Sequence, residues 1–194
     1  MKIKILVALV LFIQFPIMGF AQTKPSVNAN AEKIISEQKS GQDQLKYVDS
    51  TYGYSVVVAK WWDIKETPSA NFFGGTFPEI NNSKGALLFK SFEKDTFKTF
   101  QNFENWVVAG YRSGETPRWS NEHKFLYKKN LDQFKSIGKA YKVQLKADDS
   151  FYNCCYIIVE TTKSFLWIDL TSTRETYDAN FKELEKLMLE FTAF

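Results

Sequence analysis

The sequence predicts an α+β fold in which helices pack on a central antiparallel sheet. Three observations predict it. Four strand-like segments follow one another at about 124–130, 138–146, 151–160 and 164–171, with short polar connections suited to hairpins. An aromatic stripe at helical spacing precedes them, and a second apolar stripe at helical spacing follows them. Strands that run consecutively between two helices, instead of alternating with helices, give an antiparallel sheet.

The chain opens on a targeting pattern. Met1-Lys2-Ile3-Lys4 is a short positive start, and Ile5 to Met18 is apolar apart from Gln14 and Pro16. Gly19-Phe20-Ala21 then sets small residues where a signal peptidase reads. Residues 1–21 are therefore expected to be a cleaved signal peptide, with the mature chain beginning at Gln22 in the periplasm or outside the cell. The apolar run is short for a span of roughly 20 residues, and no cysteine follows it for lipid attachment. No stable membrane insertion is expected after cleavage. Loss of Lys2 and Lys4 takes the formal charge from +3 to +1. A near-neutral domain gives no electrostatic reason to expect nucleic acid or anionic lipid; the partner expected is another protein, and no nucleic acid. The length fits one domain.

Residues 22–45 are polar and read as a mobile leader, with a short helix at Ala29 to Gln38; the single α+β domain is expected over 46–194. Tyr52 to Val58 alternates as a strand, with Tyr54, Val56 and Val58 on one face. Trp61-Trp62 follows, Thr67-Pro68-Ser69 breaks the pattern, and Gly74-Gly75 bends a short strand over Phe72 to Phe77. Ala86 to Phe92 is a strand. Asp95 is placed to cap a helix whose Phe97, Phe100, Phe103, Trp106, Val107 and Tyr111 lie along one face. Gly114 and Pro117 end that segment. In the last of the four strands, Leu166, Ile168 and Leu170 lie opposite Phe165 and Trp167. A strand apolar on both faces is central and covered on both sides. A final helix over about 178–191 carries Phe181, Leu184, Leu187, Met188 and Phe191.

Three segments resemble the PsbP/Mog-like superfamily, which includes DcrB-like exported bacterial proteins. They are Tyr52-Gly53-Tyr54-Ser55-Val56, Trp62 just beyond it, and Ile168-Asp169-Leu170-Thr171 followed by Tyr177, Asn180, Phe181, Leu184, Met188 and Phe191. The likeness spans about residues 47–194. It implies an αβα sandwich with a central antiparallel sheet, in a family made mostly of binding and assembly modules. Ala59-Lys60-Trp61 stand where the family often has a proline before its tryptophan, and no ligand positions for manganese or calcium match.

The chemistry is bounded by what is scarce. His123 is the single histidine, so two-histidine metal sites are excluded. No Gly-x-Ser-x-Gly elbow, nucleotide fingerprint or phosphate loop occurs. Asp148-Asp149 falls in a hairpin turn that favours Asp for backbone reasons. Cys154 and Cys155 are neighbours on a strand, pointing to opposite faces; one buried and one partly exposed free thiol are expected, the alternative being a vicinal disulfide switch. No cofactor and no metal are expected, and no catalytic residue is assigned.

The remaining candidates are aromatic. Arg118-Trp119 sits in the break after the first helix, and Phe72-Phe73 lies in the stretch between Pro68 and Gly85. Trp, Phe and Arg in connections are interface anchors when they stay exposed, and core when the connections fold back. The reading is an exported, non-enzymatic protein- or ligand-binding module of the cell envelope, in an accessory, chaperone-like or toxin-immunity role. The alternative is a hydrolase of envelope polymers working through carboxylates.

Overall fold

The computed structural model describes residues 33–37, 44–59, 63–67, 71–111, 124–147 and 150–194. The strands are β1 (Lys33–Glu37), β2 (Gln44–Asp49), β3 (Tyr54–Ala59), β4 (Asp63–Thr67), β5 (Phe72–Thr76), β6 (Ala86–Glu93), β7 (Lys124–Asn130), β8 (Lys139–Ala147), β9 (Ser150–Glu160), β10 (Ser164–Thr173) and β11 (Thr192–Ala193). The helices are α1 (Lys94–Phe97), α2 (Phe100–Ala109) and α3 (Tyr177–Leu189), and a 3-10 turn covers Asp132–Phe134.

The strands form two antiparallel sheets. The large one runs β4-β5-β6-β10-β9-β8-β7, and the small one β1-β2-β3-β11. β9 and β10 are interior strands, and their near-continuous apolar sequences fill both faces of the large sheet. On one face, Phe165, Trp167, Ile158, Tyr156 and Cys154 meet Phe103, Val107 and Tyr111 from α2 and its end. On the other, Leu166, Ile168, Leu170, Ile157 and Cys155 meet Leu184 and Met188 of α3 and Tyr54, Val56 and Val58 of the small sheet. The architecture is thus α+β in three layers. The small sheet shares an outer layer with α3 and is tied down by stacking of Tyr47 on Phe73 at 3.8 Å and of Tyr54 on Phe89 at 6.0 Å.

The strands over 124–171 and the last helix stand close to where the sequence puts them. Other elements differ. Lys33–Glu37 is a strand and not part of a helix: it pairs with β2, setting Ile34 opposite Val48 and Ile35 opposite Tyr47. Ladder pairing with a neighbour outweighs a weak local helix preference, and paired structure therefore begins inside the stretch read as a leader. β4 carries one aliphatic residue in Asp63–Thr67, too little alternation to read as a strand; it exists by pairing with β5. Asp95 does not cap the long helix. Lys98, at φ 64°, breaks the segment into a single turn and a ten-residue helix. Thr99 caps the latter, its side chain accepting from the Asn102 backbone N–H at 3.1 Å. Both cysteines are free and fully buried, one in each core, where one partly exposed thiol was expected. The reason is that β9 is covered on both sides.

Candidate functional site

Within the large sheet, β10 presents one acid among apolar neighbours. Asp169 shares the α2-side face with Phe165 and Trp167, since alternate strand residues share a face. A buried carboxylate needs donors, and two reach it. The Tyr111 hydroxyl donates to Oδ1 at 2.7 Å, and the Lys90 ammonium of β6 lies 3.2 Å from Oδ2. Lys90 also sits 4.0 Å from the Trp167 ring centroid, and Tyr111 stacks on Tyr156 at 4.6 Å. The side chains of Lys90 and Asp169 are 20% and 11% exposed, so this ion pair is largely withdrawn from water. It bonds the residue just beyond α2 to the centre of the sheet, and so fixes the point from which the chain continues toward Arg118 and Trp119.

A second charged node lies farther along the same face. Glu104 of α2 is buried, and accepts hydrogen bonds from the Lys139 ammonium and the Tyr141 hydroxyl of β8. Burial raises the Glu104 carboxyl, but the Lys139 and Tyr141 hydrogen bonds and the positive charge of Lys139 outweigh it, and the net shift is downward. The same contact, added to burial, pushes the Tyr141 hydroxyl well above its ordinary value. Each node is a carboxylate that accepts from two donors. Their chemistry is to hold α2 on the sheet.

Of the residues marked by sequence, Phe72 reaches this face. It stands directly opposite Lys90 in the β5–β6 ladder and is half-buried. Phe73, its neighbour, points the other way into the core, fully buried among Tyr47 and Phe89. As a partner-binding residue Phe73 is corrected: a strand alternates its side chains, so only one of two adjacent phenylalanines can face outward. Arg118, Trp119, His123, Asp148, Asp149, Trp61 and Trp62 lie outside the described residues. The sequence places Tyr111 on the aromatic helix face and Asp169 in the last-strand motif, but gives neither them nor Lys90 a place in a charged node. The signal was present: Lys90 stands between Phe89 and Phe92, and Asp169 between Ile168 and Leu170, and a charge set among such large apolar neighbours has to meet compensating charge.

On the opposite face Asn180 of α3 donates to the Ser172 hydroxyl at 3.0 Å. A Cβ on Gly85 would come within 2.1 Å of the Asn180 amide nitrogen, so glycine alone permits this contact. A cavity of about 100 Å³ lies between β3 and the second half of α3, bordered by Val57, Phe77, Glu183 and Leu187. Small-molecule sites usually offer about 300–1,000 Å³, so it has room for a few waters and not for a substrate. No group of three or more potential metal ligands occurs among the described residues.

No family model matches the sequence, and a search of curated proteins finds no relative. In three dimensions the chain is similar to the solution structure of cyanobacterial PsbP (CyanoP) from Synechocystis sp. PCC 6803, with a TM-score of 0.52 and 11% identity over 82% of this chain and 98% of that one. Similarity at a lower TM-score, 0.45, extends to the Ran-binding protein Mog1p of Saccharomyces cerevisiae, 9% identical over 79% of this chain and 96% of that one. The same score relates it to a Pseudomonas aeruginosa protein of unknown function, 8% identical over 69% of this chain and 87% of that one. Layer order, the two antiparallel sheets and the match to nearly the whole of the cyanobacterial protein agree: the chain has the PsbP/Mog-like fold.

Proposed function

We propose that this chain is an exported, non-enzymatic binding module of the cell envelope, and that it engages a partner protein through the α2-side face, where Phe72 flanks the Lys90–Asp169 pair and from which the Arg118–Trp119 segment departs. One observation carries the reading. Each buried carboxylate of the described core is already held by two donors. Asp49 accepts from the backbone N–H groups of Thr51 and Tyr52 at 3.1 Å each, Glu104 from Lys139 and Tyr141, and Asp169 from Lys90 and Tyr111. Each of these carboxylates is thereby tied into the core and holds together the elements that donate to it. A half-buried aromatic beside a nearly desolvated ion pair is, by contrast, the composition of an interface anchor. An accessory, chaperone-like or toxin-immunity role fits this reading, and the chemistry of the face does not choose among them.

The test compares wild type with Trp119→Ala and Phe72→Ala in capture from envelope extract, alongside thermal melting. A buried aromatic anchor is worth at least about 2 kcal/mol when truncated. The expected result is loss of the same captured protein at roughly thirtyfold weaker affinity, with little change in Tm. Unchanged capture by both variants rejects this face. Turnover of an envelope polymer by the purified protein, abolished by a single carboxylate substitution, would replace binding with hydrolysis.

A further inference from the structure

Lysine is concentrated at one edge of the large sheet. Residues 124–147, which make β7, the 3-10 turn and β8, hold seven lysines against one acid, Asp132, while the rest of the chain holds 18 basic and 21 acidic residues. The near-neutral total therefore conceals a basic edge, and folding gathers it, because among the described residues β7 is the terminal strand and β8 its neighbour. The register sets Lys124 opposite Lys146 and Lys129 opposite Lys142. Directly opposed like charges destabilise a strand pair.

Edge protection explains part of this pattern, since lysines on a terminal strand discourage stray pairing. It does not explain lysines facing each other across a ladder, nor Lys142 and Lys146 on the second strand in. Those two rest near rings, Lys142 at 4.2 Å from the Tyr177 centroid and Lys146 at 5.9 Å from Phe151, and among the described residues neither they nor Lys129 meets a carboxylate. Leu126 and Phe151, 44% and 42% exposed, lie on β7 and at the start of β9 beside them. Repulsive charge retained at a cost to the fold, next to exposed apolar groups, is what a partner of opposite charge would relieve.

We propose that the β7–β8 edge is a docking surface for an acidic, extended segment of a partner protein. Lys128 and Lys129 are successive strand residues and project to opposite faces. A segment laid along β7 as an added strand also projects its side chains to both faces, so its Asp and Glu residues meet lysines above and below. The outward backbone of residues 127–130 supplies the hydrogen bonds of strand addition. The lysines that repel a neutral or basic strand make the edge selective for an acidic one. Open strand backbone favours a polypeptide over an anionic membrane, which has nothing to pair with it. The edge lies five strand spacings of about 4.8 Å from Phe72 on β5, so this surface stands or falls independently of the α2-side face.

The test titrates the exported protein with a labelled peptide alternating Glu and Val, read by fluorescence anisotropy, beside the same peptide with Gln for Glu and beside phosphatidylglycerol vesicles. Saturable binding of the Glu peptide is expected, weakened by salt, with the Gln peptide at least about tenfold weaker. The Lys129→Gln/Lys142→Gln double variant should bind about tenfold more weakly while melting at or above the wild-type temperature, because its repulsion is relieved. The single variant Lys129→Gln should show an intermediate loss, and amides of residues 127–130 should gain protection from hydrogen exchange on binding. Equal affinity for the two peptides, unaltered binding by the double variant, or a double variant that melts well below wild type each overturns the proposal. So does retention on vesicles without peptide binding.

Discussion

Gly53 shows how a single residue is fixed by distant chain. It sits at φ 77°, in the left-handed region, with its N–H donating to the Asp49 carbonyl at 2.9 Å. Its own carbonyl accepts from the Phe194 N–H at 2.8 Å, and a Cβ here would come within 2.4 Å of the Phe194 carbonyl oxygen. The aromatic-glycine-aromatic motif at Tyr52-Gly53-Tyr54 therefore serves a tight turn and the docking of Phe194 together. Gly53→Ala should cost about 2 kcal/mol or more, from the strained backbone and the displaced terminal strand. Urea denaturation measures it; a change below about 0.5 kcal/mol, the range of ordinary surface substitutions, would contradict this account. Burial pushes the Cys155 thiol well up, with Asp169 and Cys154 adding to it, so the group stays a protonated, unreactive thiol in the folded protein.

Helix α2 is held at the scale of an element by aromatic packing and by its two carboxylate nodes. Phe103 and Val107 are fully buried on the sheet, whereas Phe97, Phe100 and Trp106 are only partly so, packed around Phe92 and Phe165. The Glu104 node gives the element a pH dependence whose sign follows from its depressed carboxyl. A group lowered below its ordinary value of about 4.5 contributes stability that is complete above that value and is lost as the pH falls through the folded one. Glu104→Gln should therefore be less stable than wild type by about 1–2 kcal/mol at neutral pH, since a charge-assisted pair of hydrogen bonds is weakened. The difference should shrink on acidification below the ordinary carboxylate value, as the folded group takes up its proton. Denaturant titrations of both proteins across that range check it, and a difference independent of pH would assign the loss to packing.

At the scale of the whole molecule, the described residues build a seven-stranded sheet whose central strands are buried on both faces, and the two proposed surfaces lie toward its margins. The Phe72–Lys90 face stands near one end and the lysine-rich β7–β8 edge at the other. Export is the matching expectation at this scale. N-terminal sequencing of protein from its native host should read from Gln22, and material that retains Met1 on membranes would remove the envelope from the proposed role.

Much of the fold was legible because it is written locally. The helical spacing of Phe103, Val107 and Tyr111, the hairpin-like run from residue 124, and the two-faced apolar pattern of β10 each specify an element or its burial through period alone. The free state and opposite facing of Cys154 and Cys155 follow from the same period of two. Tertiary structure decided the rest. β1 and β4 exist through pairing with β2 and β5, and a ladder is a property of two segments. Phe73 belongs to the core because the small sheet folds over it and stacks Tyr47 on its ring. Lys90, Asp169 and Tyr111 become one node through contacts among residues 58 or more positions apart. The lysine-rich stretch from residue 124 to 146 is readable along the chain; that it forms a sheet edge with lysines set opposite one another is decided by strand order and register, because Coulomb energy depends on distance in space.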